Sequence, residues 1–219
     1  MTELAVHFLD AVSARAARDT PADAATAVGM LEWLTTSIAE DRAASRFDAW
    51  GRSTVIDENV GKPVIGRALF AHLHEMAGVD AVWPIGNAGV LHCYGYLLSR
   101  VKTPYGLKRE RWLGAELART YGLPDGAFVP WAGERTLLAR AADAASALLR
   151  APALSLTLSV DGRATRVALS ATAGPGALAY SVANAPDAEP VLVTTFPVAD
   201  VRAIMTESES ESRLRWNAA

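Results

Sequence analysis

Apolar positions in the first 150 residues recur every three or four residues, a spacing that predicts amphipathic helices. The first 46 residues predict two helices, the second with Thr20 as N-cap and Pro21 in its first turn. The stretch 47–63 breaks the spacing and predicts an ordered loop with a short strand at 53–56. Four further helices are predicted, at 63–77, 87–101, 108–121 and 134–150.

Beyond Pro152 apolar and polar residues alternate, which predicts strands. Asp161-Gly162 is the strongest hairpin signal in the chain, and four strands are expected across 152–196. A short helix at 198–206, a flexible acidic run at 207–212 and a last strand at 213–216 complete the pattern. The prediction is one α+β domain, 1–219: a mainly helical part, 1–150, packed on an antiparallel meander of four to five strands, 151–219.

Composition narrows the class of protein. The 219 residues include 51% hydrophobic and 21% charged residues, and 21 Lys and Arg against 24 Asp and Glu give a net charge of −3. This balance disfavours a nucleic-acid partner, which selects basic faces. The single cysteine, Cys93, excludes an internal disulfide and suits a reducing cytoplasm. The sequence has no long apolar run and no basic leader, so neither a membrane span nor a signal peptide is predicted. Abundant alanine and arginine with little lysine is associated with GC-rich bacterial genomes.

The predicted helix 87–101 has an unusual second face. At 100° per residue the core stripe is opposed by His92, Tyr96 and Ser99, with Cys93 and Arg100 along one edge. A solvent face normally carries charges, but this one is uncharged for three turns. Either the helix is buried on both sides, with His92 hydrogen-bonded in the core, or the face lines a cavity where His92 and Tyr96 handle protons.

The predicted helix 63–77 offers a second candidate pair. His72 lies at the edge of its core stripe and Glu75 one turn further on, so the two could hydrogen-bond and raise the basicity of the imidazole. A purely structural pair is the alternative. His74 is expected on the solvated face with Arg67. Because His72 and His74 are two residues apart they diverge by about 200° on a helix, so no metal site is predicted.

The segment VKTPYGLKRERW, 101–112, carries a local charge of +3 in an acidic chain. Thr103-Pro104-Tyr105-Gly106 predicts a type I turn, followed by a helix start near Lys108. Cations beside a helix N-terminus suit an anion, more readily a carboxylate or single phosphate than a polyphosphate. A solvated helix start, with Glu110 and Glu116 neutralising the charge in part, is the alternative. The candidate substrate-binding residues are Arg52, Arg100, Lys102, Tyr105, Lys108 and Arg109, with Arg111 in the same cluster.

Familiar cofactor and nucleophile motifs are missing from the sequence. There is no G-x-G-x-x-G, P-loop or G-x-S-x-G, so no nucleotide, flavin or nicotinamide cofactor is predicted. The first hypothesis is a cofactor-independent enzyme of bacterial specialised metabolism with catalytic residues His92, Tyr96, His72 and Glu75. Its substrate would be a small, anionic, amino-acid-derived carboxylate. The reaction would be a condensation of Pictet–Spengler type, a lyase elimination or an isomerisation.

Other possibilities stay open at this point. Asp57 and Glu58, in the loop 47–63, could serve as an acid or base, and they equally suit a turn. A ribonuclease-like or toxin-like domain is one alternative function, on fold analogy alone. A non-enzymatic ligand-binding or assembly protein is the other. No nucleic-acid or membrane partner is expected, and a homodimer is left open.

Overall fold

The computed structural model describes residues 3–160, 162–185 and 188–210. Helices dominate the N-terminal two-thirds and a four-stranded antiparallel sheet follows, so the predicted α+β fold is confirmed. The α-helices are α1 (Glu3–Ala16), α2 (Pro21–Gly29), α3 (Glu32–Ala43), α4 (Arg67–Ala77), α5 (Glu110–Leu113), α6 (Glu116–Thr120), α7 (Leu137–Arg150) and α8 (Val201–Ser210). Within these residues no helix combines the length and apolar character that crossing a bilayer requires.

The strands form one large sheet and three small ones. The small sheets pair β1 (Arg52–Thr54) with β4 (Ile85–Asn87), β2 (Ile56–Asp57) with β3 (Lys62–Pro63), and β5 (Lys102–Thr103) with β6 (Gly106–Leu107). The large sheet has the order β10-β9-β8-β7, from β7 (Leu154–Val160), β8 (Arg163–Leu169), β9 (Gly176–Ala183) and β10 (Val191–Val198).

The antiparallel meander and its first hairpin are as predicted. Val160 pairs with Arg163, so β7 and β8 are joined by two residues, of which Asp161 lies outside the described residues. Gly162 has φ +76°, a left-handed conformation that glycine adopts without a side-chain clash. The predicted last strand, 213–216, also lies outside the described residues. The acidic run was expected to be flexible, but 207–210 form the last turn of α8.

The prediction of two N-terminal helices was wrong, since three form. Thr20 does cap α2, accepting a hydrogen bond from the Asp23 N–H at 3.1 Å. The chain then breaks after Gly29, and α3 begins at Glu32. Glycine interrupts a helix because its backbone has more freedom to lose there.

The segment predicted as a regular helix, 87–101, is shorter and irregular. A π-helical turn, Val90–Tyr94, is followed by a 3₁₀ turn, Gly95–Leu98. Every residue of these turns is buried, so there is no solvent face. The Tyr94 hydroxyl donates to Asp41, a fully buried carboxylate that also accepts from the Thr136 hydroxyl at 2.6 Å. The segment is therefore fixed in the core by polar as well as apolar contacts.

The sheet is covered on both faces. Helix α7, capped by Thr136 rather than beginning at 134, packs against β8, β9 and β10. Small buried residues on both sides, including Ala141, Ala168 and Ala179, belong to this core and permit close approach. Val201 of α8 joins a second apolar cluster with side chains of β8, β9 and β10. The predicted helix 108–121 is split into α5 and α6 at Gly114.

Candidate functional site

The basic segment 101–112 begins with the tight hairpin of β5 and β6. Thr103 stabilises it: its hydroxyl accepts from the Tyr105 N–H at 3.2 Å and donates to the Gly106 carbonyl at 2.9 Å. The Glu110 carboxylate then accepts from the Leu107 N–H at 2.9 Å. These local bonds determine where Lys108 and the following cations leave the backbone.

The cations of this segment point in different directions and do not form a single clamp. Arg100, Lys102 and Tyr105 are exposed, Tyr105 by 82%. Arg109 is buried and its guanidinium pairs with Asp10 of α1 at 2.5 Å. Only Lys108 and Arg111 reach a common neighbour, the ring of Tyr96, at 5.5 and 5.6 Å from its centroid.

Tyr96 links these two cations to His92. The rings of His92 and Tyr96 lie 4.8 Å apart between centroids, at an interplanar angle of 34°. Nε2 of His92 lies 3.2 Å from the Ser53 hydroxyl, while Nδ1 has no hydrogen-bond partner of regular geometry among the described residues. We call Ser53, Asp57, His92, Tyr96, Lys108, Arg111 and Thr194 the His92 cluster.

The imidazole of His92 is held neutral. It is 2% exposed, so burial lowers its pKa well below the usual range, and the charges of Arg111 and Lys108 lower the pKa further. The backbone of Val193 approaches the ring and opposes part of this decrease. A neutral imidazole can accept a proton, so His92 has the protonation state of a base.

The charge of Lys108 is balanced by Asp57, which is 1% exposed. Their ion pair involves Oδ2 of Asp57, although the contact lacks the directions of a regular hydrogen bond. Oδ1 accepts from the N–H groups of Asn59 and Val60, at 3.0 and 3.2 Å. Burial alone would raise the pKa of Asp57, but Lys108 and the two N–H groups bring this pKa below its usual value.

Arg111 has no carboxylate partner among the described residues. Its guanidinium donates to the Thr194 hydroxyl of β10 at 3.1 Å and lies over the rings of Trp112 and Phe196. Burial lowers the pKa of Arg111. Burial also lowers the pKa of Lys108, and the nearby charge of Arg111 lowers the Lys108 pKa further. The His92 cluster thus holds two cations and one carboxylate.

The candidates on α4 are placed differently from the expectation. His72 is half-buried and Glu75 is exposed, and no hydrogen bond joins them in the described structure. His74, expected to be solvated, is instead buried beneath β4. Its Nδ1 donates to the Phe70 carbonyl at 2.7 Å, and its Nε2 accepts from the Asn87 N–H at 3.0 Å. Burial lowers the pKa of His74, so this histidine is a neutral structural link.

Two pockets lie on the surface of the described residues, and His92, Tyr96 and Ser99 line neither of them. One, of about 240 Å³, includes Arg52 in its lining. The other, of about 210 Å³, lies on the sheet beside Arg166. Among the residues that the structure describes, no group of three or more His, Cys, Asp or Glu side chains could hold a metal ion. His92 is buried, with Nε2 beside the Ser53 hydroxyl, and its role in proton transfer stays a prediction.

Sequence patterns gave no indication of Ser53 and Thr194. Ser53 lies 39 residues from its partner His92, and Thr194 lies 83 residues from Arg111. Both are small polar residues in short or alternating strands, where a hydroxyl facing the interior has no local signature. Comparison with protein-family models, with curated proteins and with solved structures finds no match to this chain.

Proposed function

We propose that this chain is a cofactor-independent enzyme of bacterial, cytoplasmic specialised metabolism that acts on a small carboxylate-bearing, amino-acid-derived molecule. The observation that carries the proposal is the convergence of Lys108 and Arg111 on the ring of Tyr96, which stacks on the neutral His92. The reaction classes that such groups support without a cofactor are Pictet–Spengler-type condensation, lyase elimination and isomerisation.

Charge in the His92 cluster favours an anionic ligand. Asp57 offsets one of the two cations, which leaves Arg111 with a hydroxyl and aromatic rings as its described neighbours. A desolvated guanidinium is stabilised by a carboxylate through paired, charge-assisted hydrogen bonds. The rings of Tyr96, Trp112 and Phe196 around it favour a carboxylate that also carries an aromatic group.

In this proposal each group has a separate role. Arg111 and Lys108 bind the substrate carboxylate, His92 accepts a proton from the reacting carbon or amine, and Tyr96 returns one. Asp57 positions Lys108. The other sequence candidates, His72 and Glu75 on α4 and the exposed Arg100, Lys102 and Tyr105, are not required for these steps.

A second candidate function is ligand binding without turnover, as in a sensor or carrier. The observation that favours it is burial: His92 is 2% exposed, and neither of the two pockets includes it. Binding to Arg111 and Lys108 at the edge of the His92 cluster would then need no access to the imidazole.

Binding is tested with phenylacetate and its neutral analogue 2-phenylethanol, by isothermal titration calorimetry. Phenylacetate should bind more tightly than the alcohol. Arg111→Gln should weaken the binding of phenylacetate by roughly 10- to 150-fold, because a charge-assisted contact contributes about 1.5–3 kcal/mol to binding. Lys102→Gln, which removes an exposed cation of the same segment, is the matched control. Equal affinity in both variants would overturn the proposed site.

Turnover is tested separately, with L-tryptophan and acetaldehyde followed by mass spectrometry for a product equal to their sum less one water. His92→Gln should lower the rate by roughly 10²–10⁴-fold, as expected for loss of a general base. Folded protein is quantified by circular dichroism, because His92 is buried. Phenylacetate binding with no turnover of any tested amine and carbonyl pair would favour the second candidate.

A further inference from the structure

A pocket of about 240 Å³ lies between the β1–β4 pair and the adjoining parts of β9 and β10. It shares no residue with the His92 cluster, so ligand binding in it can be tested separately from the proposed function. Its floor is held by the backbone: the Gly51 N–H donates to the Leu192 carbonyl at 2.9 Å, and the Ala88 N–H donates to the Gly51 carbonyl at 2.8 Å. A Cβ at Gly51 would lie 2.8 Å from a methyl group of Val191, so the two segments are in close contact.

The pocket contains a cation and an anion that do not pair with each other. Arg52 and Asp80 both line it and both are exposed, and neither forms an ion pair or side-chain hydrogen bond in the described structure. Other exposed charges of this chain do find partners, as in the pair of Arg135 with Asp143 at 2.6 Å. Arg52 and Asp80 are therefore free to bind opposite charges on one ligand.

Two other polar side chains line the pocket, Asn87 and the exposed Asn184, and the amide of Asn87 is committed to the fold. The Asn87 amide donates to the carbonyls of Phe47 and Trp50, at 3.0 and 3.3 Å, and its oxygen accepts from the Val90 N–H at 3.1 Å. The other walls are largely apolar. They include Trp50, Val79, Val182, Val191 and Val193.

These features define the chemical class of the ligand. We propose that the pocket binds an aliphatic α-amino acid, with its carboxylate at Arg52, its ammonium at Asp80 and its side chain against the valines. The volume favours a small molecule, because pockets for drug-sized ligands measure roughly 300–1,000 Å³. A ligand carrying only one of the two charges would leave the other pocket charge without a partner.

The test uses three probes that differ by one group: L-valine, 3-methylbutanoate, which lacks the ammonium, and 2-methylpropylamine, which lacks the carboxylate. Each is titrated into the full chain, uniformly labelled with ¹⁵N, and amide shifts are followed by NMR. L-Valine should bind most tightly, with shifts centred on Gly51, Val191 and Val193. Arg52→Gln should weaken the binding of L-valine and of 3-methylbutanoate about tenfold and leave the binding of 2-methylpropylamine unchanged.

Asp80→Asn should have the reciprocal effect, weakening L-valine and 2-methylpropylamine about tenfold and leaving 3-methylbutanoate unchanged. Arg67→Gln and Glu134→Gln remove exposed charges outside the pocket and serve as controls. The proposal is overturned by the absence of saturable shifts up to about 10 mM L-valine, tenfold above a weak Kd of ~1 mM. Shifts that map away from the pocket, or equal binding of L-valine and 3-methylbutanoate, would overturn it as well.

Discussion

The ion pair of Asp57 and Lys108 joins β2 to the segment before α5, and each charge can be removed alone. Asp57→Asn retains an oxygen that can accept from the N–H groups of Asn59 and Val60, so it removes mainly the charge. We expect the free energy of unfolding to fall by about 3 kcal/mol, the lower end of the range for breaking a buried pair. The lower end applies because the Lys108 side chain is 15% exposed and retains access to water.

A double-mutant cycle isolates the interaction itself. Lys108→Met should lower the free energy of unfolding by about 2–3 kcal/mol. The loss is limited because the Asp57 carboxylate keeps its two N–H donors. The double variant should lose less free energy of unfolding than the two single variants lose together. The difference is the coupling free energy, expected to be about 1–3 kcal/mol. Urea unfolding followed by circular dichroism gives these values, and the melting temperature of Asp57→Asn should fall by roughly 6–12 °C.

The chain contains a matched control for this cycle. Arg119 and Asp125 form a two-bond ion pair, at 2.8 and 2.5 Å, whose side chains are 68% and 57% exposed. Such a pair contributes little because water screens it. Asp125→Asn should therefore change the free energy of unfolding by far less than Asp57→Asn does. If the two variants behave alike, burial does not strengthen the Asp57–Lys108 pair and the reasoning is refuted.

The sheet was predictable because its information is local. Alternating residues and the Asp161-Gly162 turn specify neighbouring antiparallel strands directly. The backbone of the segment 87–101 was not predictable from the sequence pattern, because a helical wheel assumes a regular turn of 100° per residue and a face exposed to solvent. Here the π-helical and 3₁₀ turns are buried throughout, and a Cβ at Gly89 would lie 2.8 Å from side-chain atoms of Trp50 and Leu138. Tertiary packing, which the sequence pattern does not contain, determined this backbone.

The site was predictable only in part, for a related reason. A local excess of cations correctly drew attention to the segment that contains Lys108 and Arg111. It could not say where each side chain points, because the partners lie far away in sequence: Asp10 is 99 residues from Arg109. Cations that are adjacent in sequence therefore bind separate parts of the fold, and only two of them reach Tyr96.

Three further predictions concern protonation and close packing. Because the pKa of Asp57 is lowered in the folded protein, its stabilisation is complete above the unfolded value near 3.8 and is lost as pH falls through the folded-state pKa. Unfolding free energies between about pH 5 and pH 2 should therefore fall more steeply for the native chain than for Asp57→Asn; equal slopes would contradict this. Burial lowers the pKa of His74 and His92, so between 6.5 and their folded-state pKa values the unfolded chain binds more protons than the folded chain. Stability should therefore decrease as the pH is lowered through this range, and NMR titration of either ring at or above 6.5 would be inconsistent with this. Finally, a Cβ at Gly86 would lie 2.3 Å from Nε2 of His74, the atom that accepts the Asn87 N–H. Gly86→Ala should displace that ring and cost about 2–3 kcal/mol in urea unfolding, combining overpacking with a lost buried hydrogen bond. At Gly29 a Cβ meets nothing within 4 Å, so Gly29→Ala should be neutral or stabilising by up to about 1 kcal/mol. Comparable costs for the two alanine variants would show that the contact between His74 and β4 is looser than the distances indicate.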